Sequence, residues 1–165
     1  MARVQIVTDS TAYFSKEEAK QRQIQVVPLS VTFSSVSTEE GFPGEFEDSY
    51  RQLETSKDFP STSQPSIEAF ASVYKEILAQ GNEIITIVIS EKLSGTYNSA
   101  SAAAAMTSPD RISVIDSETT VSNLKFLVQL AQSMAELGHS RQEIVEAVER
   151  QKKRMQVVLV ANTLE

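Results

Sequence analysis

The chain has no cysteine, no tryptophan and a single histidine, His139. Without thiols it can form no disulfide, no thiolate nucleophile and no cysteine-based zinc site. That fits a reducing compartment, and a cytoplasmic protein is expected. His139 lies between Gly138 and Ser140, in what reads as a surface turn, so a Ser-His-Asp triad or a histidine metal site has no centre to build on. Glycine is scarce, five residues in 165. No Gly-x-Ser-x-Gly elbow, Gly-x-Gly-x-x-Gly turn or phosphate loop occurs. Apolar runs are short, well below the roughly 20 residues of a membrane helix. The opening Met1-Ala2-Arg3-Val4 enters a strand pattern and has no signal-peptide layout. Positive charge is also in deficit: 15 Lys and Arg against 22 Asp and Glu leave a net −7. This argues against nucleic acid held through phosphates and against docking on an anionic membrane.

What is present describes one folded domain. Hydrophobic residues make up 41% and charged residues 22%, enough to bury a core. β-Branched runs at Val4–Val7, Val26–Phe33, Ile84–Ile89, Ile112–Ile115 and Val157–Ala161 predict strands. Ile67, Phe70, Ala71, Tyr74, Ile77 and Leu78 repeat at helical spacing, as do Leu124, Leu127, Val128, Ala131, Met134 and Ala135. Phe46, Tyr50 and Leu53 make a shorter stripe. Gly81 and Gly138 read as helix stops, and Ser15 with Glu18 and Ser140 with Glu143 as capping boxes. Residues 34–44 and 56–66 read as loops, the second fixed in an extended path by its two prolines. Strands nearly continuous in Val and Ile, alternating with helices, predict an α/β fold: a three-layer α/β/α domain around a mostly parallel sheet of about five strands.

Three strand ends carry polar clusters: Thr8-Asp9-Ser10-Thr11, Ser90 through Thr96, and Asp116-Ser117-Glu118-Thr119-Thr120. In a parallel sheet these converge on one edge, and the loop holding Thr62 and Ser63 can reach it. The groups are nearly all hydroxyls, with Lys92 the one base among them. Hydroxyls donate to a carboxylate without the strong counter-charge that a phosphate recruits, so a carboxylate head group is the favoured ligand. Structural roles compete at each point: Asp9 or Ser10 as a cap for the short helix after it, Asp116-Ser117 as a turn, Ser94 and Ser66 as helix caps. Asp9 and Asp116 could alternatively hold Mg²⁺ for phosphoryl chemistry, or the domain could be an interaction module without ligand. No general base stands beside a nucleophile, so catalysis is not expected, and no cofactor or metal is called for.

Read together, seven segments resemble the DegV family of bacterial fatty-acid-binding proteins. They are Val7-Thr8-Asp9-Ser10-Thr11, Val27-Pro28-Leu29-Ser30-Val31, Thr62-Ser63-Gln64-Pro65-Ser66, Ile89-Ser90, Leu93-Ser94-Gly95-Thr96-Tyr97, Val114-Ile115-Asp116-Ser117 and Thr163-Leu164-Glu165. They keep the family's order over essentially the whole chain. The resemblance implies a carrier that binds a long-chain fatty acid and hands it to a fatty-acid kinase. It implies that Thr62 and Ser94 donate to the carboxylate, with Ser63, Gly95, Thr96 and Ser10 completing the ligand site.

Two departures stand out. Where the family places glycines after Asp116-Ser117, this chain has Ser122-Asn123-Leu124-Lys125, adding bulk where backbone would approach a ligand or partner. Family members also continue beyond Thr-Leu-Glu into a second lobe, so residues 1–165 correspond to the N-terminal lobe. A lobe without its companion exposes the apolar face the companion would cover. The isolated chain is therefore expected to self-associate, as a homodimer or larger species. Light scattering at high protein concentration checks this, and a clean monomer would refute it.

Overall fold

A computed structural model describes residues 3–34, 36–55 and 59–158. A parallel sheet forms the middle layer from β1 (Val4–Asp9), β2 (Gln25–Val27), β6 (Glu83–Val88) and β7 (Ile112–Asp116), in the order β2-β1-β6-β7. On one face lie α1 (Lys16–Gln21), α5 (Val121–Glu136) and α6 (Arg141–Lys152); on the other lie α3 (Ile67–Ala79) and α4 (Thr96–Thr107). The two cores arise from strand alternation. Ile85 and Ile87 pack with Leu124, Leu127, Val128, Ile144 and Val148. Ile84 and Val88 pack with Phe70, Tyr74, Ala100 and Ala103. Thr86 lies in the second core among these apolar groups, and its hydroxyl donates to the Tyr74 hydroxyl at 2.9 Å.

The predicted helix punctuation is present. Both capping boxes form, Ser15 with Glu18 opening α1 and Ser140 with Glu143 opening α6. Ser66 caps α3 by accepting from the Ala69 N–H. Gly81 and Gly138 come after α3 and α5 at φ of 82° and 83°, a conformation a side chain would strain.

The sheet has four parallel strands where about five were expected. The run Val26–Phe33 is not one strand. Pro28, which has no N–H to give a ladder, breaks it after β2. The chain then turns into β3 (Ser30–Phe33), the centre of a separate antiparallel sheet with β4 (Val36–Glu39) and β5 (Ser61–Ser63), in the order β4-β3-β5. Both segments read as loops thus contain strands. The short stripe of Phe46, Tyr50 and Leu53 belongs to α2 (Glu47–Thr55) and the residue before it. Val157 and Val158 are not in a strand. The rest of that predicted strand and the Thr163-Leu164-Glu165 motif lie outside the described residues.

Asn123 and Lys125, at the start of α5, have definite partners. The Lys125 ammonium donates to Glu18 at 2.8 Å and lies over the Phe14 ring, 4.9 Å from its centre. The Asn123 amide donates to the Gln156 carbonyl at 3.1 Å. Lys125 holds the Glu18 carboxyl below its ordinary pKa, helped by the Ser15 N–H. A depressed carboxyl stabilises the fold above its unfolded pKa, and that contribution is lost as pH falls through the folded value. The pair is partly exposed, so its worth is modest, below about 1 kcal/mol. Urea titrations should place Glu18→Gln below the parent at pH 7, with the gap closing toward pH 3 (roughly a unit below the unfolded carboxyl). A pH-independent gap would refute the assignment.

Candidate functional site

The strand order reverses direction between β1 and β6, and open α/β sheets bind ligands outside the carboxyl ends of the strands at such a point. A buried carboxylate ties the two ends together. Asp9 is fully buried; one of its oxygens accepts from the Ile89 N–H at 2.7 Å, the other from the Thr11 N–H at 2.8 Å and the Thr11 hydroxyl at 2.5 Å. Burial raises its pKa above the ordinary carboxylate value, against the pull of these hydrogen bonds. Asp116 does similar work at the next strand end, accepting from the Glu91 N–H at 3.2 Å and the Glu118 N–H at 2.9 Å. Ser117 closes the turn against Thr119, and the Thr119 carbonyl receives the Ser90 N–H at 2.9 Å. Both acidic side chains therefore serve the backbone. Among the described residues no group of three or more His, Asp or Glu could hold a metal ion.

Beside this crossing lies a cleft of about 390 Å³ that gathers residues distant in sequence: Thr11, Tyr13, Leu29, Glu40, Thr62, Ser63, Gln64, Ile89, Leu93, Ser94 and Gly95. Thr62 and Ser63 come from β5, paired to Val31 and Ser30 of β3. Ser94 comes from the turn after β6, where the Leu93 and Ser94 N–H groups both donate to the Ser90 carbonyl. The site residues expected from sequence thus divide. Thr62, Ser63, Ser94 and Gly95 share the cleft. Thr96 is fully buried behind it. Ser10 lines a neighbouring hollow of about 370 Å³, its oxygen accepting from the Leu29 N–H at 3.0 Å and its proton given to Glu40 at 2.5 Å.

The Ser94 and Thr96 hydroxyls are 2.9 Å apart, and the Thr96 N–H reaches the same Ser94 oxygen at 3.4 Å. With Thr96 as donor, the Ser94 oxygen is saturated from behind and its own proton is turned to the cleft, polarised by the bond it receives. The Thr11 hydroxyl is spent on Asp9, so toward the cleft Thr11 offers an acceptor. No lysine or arginine lines the cleft among the described residues; Lys92 is exposed on the turn beside it. Leu29, Ile89 and Leu93 supply an apolar side. The site can thus hold a small oxyanion through neutral donors, with an apolar extension alongside.

Three further residues line the cleft that were not named as site residues from the sequence. Tyr13 sits at φ 50°, a left-handed backbone uncommon outside glycine, and burial, then Glu40, raises its phenol pKa. Glu40 directly follows β4. Gln64 rests on Gly95, where an added Cβ would come within 2.5 Å of the amide nitrogen. The sequence signal for Gln64 was its place in Thr-Ser-Gln-Pro; for Tyr13 and Glu40 there was none.

Comparison with known proteins identifies the family and the fold. The model of the DegV family matches residues 3–165. The chain is 36% identical over 162 residues to the DegV domain-containing protein YejH of Lactococcus lactis, covering 98% of this chain and 58% of that protein. It is 33% identical over 165 residues to a DegV domain-containing protein of Streptococcus pneumoniae, of which it covers 59%. The chain therefore spans less than two thirds of the length of these relatives. Among solved structures, a Thermus thermophilus DegV family protein described by its fatty acid binding superposes with a TM-score of 0.82 at 33% identity, covering 92% of this chain and 54% of that one. Bacillus subtilis DegV, described as a fatty acid binding protein, gives 0.82 at 33% identity, covering 93% and 55%.

Because the Gln64 amide is the free end of an exposed side chain, Gly95→Ala should displace it without unfolding the protein. The expected result is an unchanged melting curve, with amide resonances of Thr62, Ser63 and Ser94 shifted in heteronuclear NMR spectra. A large loss of melting temperature, or undisturbed resonances, would contradict this packing.

Proposed function

The chain belongs to the DegV family, and from that premise we propose that it binds a long-chain fatty acid, gripping the carboxylate with the Thr62 and Ser94 hydroxyls. One observation carries the reading: two hydroxyl-bearing segments, some thirty residues apart, meet in a cleft with an apolar flank and, among the described residues, no cation. A phosphate ligand would call for basic side chains that the described lining does not supply. A carboxylic acid is served by neutral donors, and its tail adds about 0.8 kcal/mol per buried CH₂. The solved relatives described as fatty-acid-binding support the same ligand class.

In this reading the domain is a carrier and Thr62 and Ser94 orient its cargo, with Ser63 and Gly95 shaping the same wall and Thr96 aiming the Ser94 proton. It supplies the N-terminal lobe of a two-lobed protein, and the exposed rim of the cleft is where the second lobe closes over the acyl chain. The consumer of the bound acid is a kinase that phosphorylates its carboxylate. The Mg²⁺ alternative through Asp9 and Asp116 finds less support, since the oxygens of these side chains that face the backbone are already engaged there.

Mass spectrometry of organic extracts from the purified protein should reveal a co-purified long-chain acid. Thr62→Ala with Ser94→Ala should weaken palmitate binding about tenfold or more, the loss of hydrogen bonds to a charged group. The melting curve should stay near the parent's. Equal binding by the double variant would reject this site.

A further inference from the structure

The two head-group donors belong to different sheets, and something must fix the distance between them. The antiparallel sheet that carries Thr62 is joined to the end of β1 by a closed ring of three hydrogen bonds. The Leu29 N–H donates to the Ser10 hydroxyl oxygen at 3.0 Å, that hydroxyl donates to the Glu40 carboxylate at 2.5 Å, and the Glu40 N–H donates to the Leu29 carbonyl at 2.7 Å. Leu29 directly precedes β3 and Glu40 directly follows β4, so the ring grips the open end of that hairpin. From β3 the ladder passes straight to β5 through Val31 and Thr62. In the other direction Ser10 adjoins Asp9, which holds the Ile89 N–H at the root of the Ser90–Ser94 turn.

The ring also does something electrostatic. Glu40 lines the same cleft as Thr62 and Ser94, where a free carboxylate would compete for their hydroxyls and repel an acidic ligand. The Ser10 hydroxyl holds it by a short, charge-assisted bond. Ser10 itself is buried, and its hydroxyl is committed in both directions.

We propose that Ser10 and Glu40 are positioning residues for the acid site: a latch that sets the antiparallel sheet against the switch point and parks the Glu40 charge away from the ligand carboxylate. The inference rests on the fatty-acid reading for its second half; the first half concerns the chain without ligand.

The test uses the parent chain, Ser10→Ala and Ser10→Ala/Glu40→Gln. Without ligand, Ser10→Ala should speed amide hydrogen exchange at Leu29, Glu40 and Ser61–Ser63 while β6 and β7 remain protected; unchanged exchange there overturns the latch whatever the protein binds. With ligand, Ser10→Ala should weaken palmitate about tenfold, the scale of a lost charge-assisted bond, and hexadecanol much less, because the alcohol has no charge for Glu40 to repel. Adding Glu40→Gln should recover most of the palmitate loss, a coupling that independent sites do not show. Equal weakening of palmitate and hexadecanol, or no recovery in the double variant, overturns the parking role. A parent chain that binds neither probe defeats the fatty-acid reading and the parking role with it, while the exchange data still decide the latch.

Discussion

Everything at the carboxyl edge of the sheet depends on one buried carboxylate. Asp9 stands where β1 and β6 begin to separate and spans the gap, with one oxygen on the far strand and the other on its own turn. An acidic group buried this deeply is costly unless its oxygens are filled. Here three donors fill them, two of them backbone N–H groups with no ladder partner at that level. The same bonds commit the Thr11 proton and hold the Ile89 N–H just before the Ser90–Ser94 turn.

The chemistry of the cleft is set by the groups this arrangement leaves free. Backbone and buried acids consume one another, and the remainder among the described residues are alcohols, one phenol, one carboxamide, one carboxylate and a few aliphatic side chains. Among the described residues such a set holds no cation to neutralise a phosphate. It suits the recognition of a weakly charged head attached to a long apolar body, where orientation comes from polar contacts and affinity from the tail. The solved relatives described as fatty-acid-binding are longer than this chain.

The parallel layer and its helices were legible because burial on both faces leaves uninterrupted Val and Ile runs, and because caps and helix-ending glycines are local devices. The antiparallel sheet was not legible for the opposite reason. β4 reads Val-Ser-Thr-Glu and β5 reads Ser-Thr-Ser, all exposed, so neither has an apolar rhythm to betray it. Pro28 was visible, but only the assembled fold shows that it divides one apolar run between two sheets. At the cleft, Thr62 and Ser94 could be nominated from motif order. The contributions of Tyr13, Gln64 and Glu40 depend on who lies next to whom across the fold. A sequence names a hydroxyl but does not say which way its proton points; Asp9 beside Thr11 supplies that information for Thr11.

The alcohol–phenol pair of Thr86 and Tyr74 has a consequence for assembly. A strand that is greasy on both sides has little to choose between alignments, since sliding it past its neighbours exchanges one isoleucine for another. A polar atom in the middle removes that freedom. Displaced by one residue, Thr86 would enter the opposite layer, away from Tyr74; displaced by two, it would lose its mate while staying in the same layer. Either misalignment leaves the Thr86 hydroxyl without this partner among apolar groups, so the pair acts as the locating pin of the central strand.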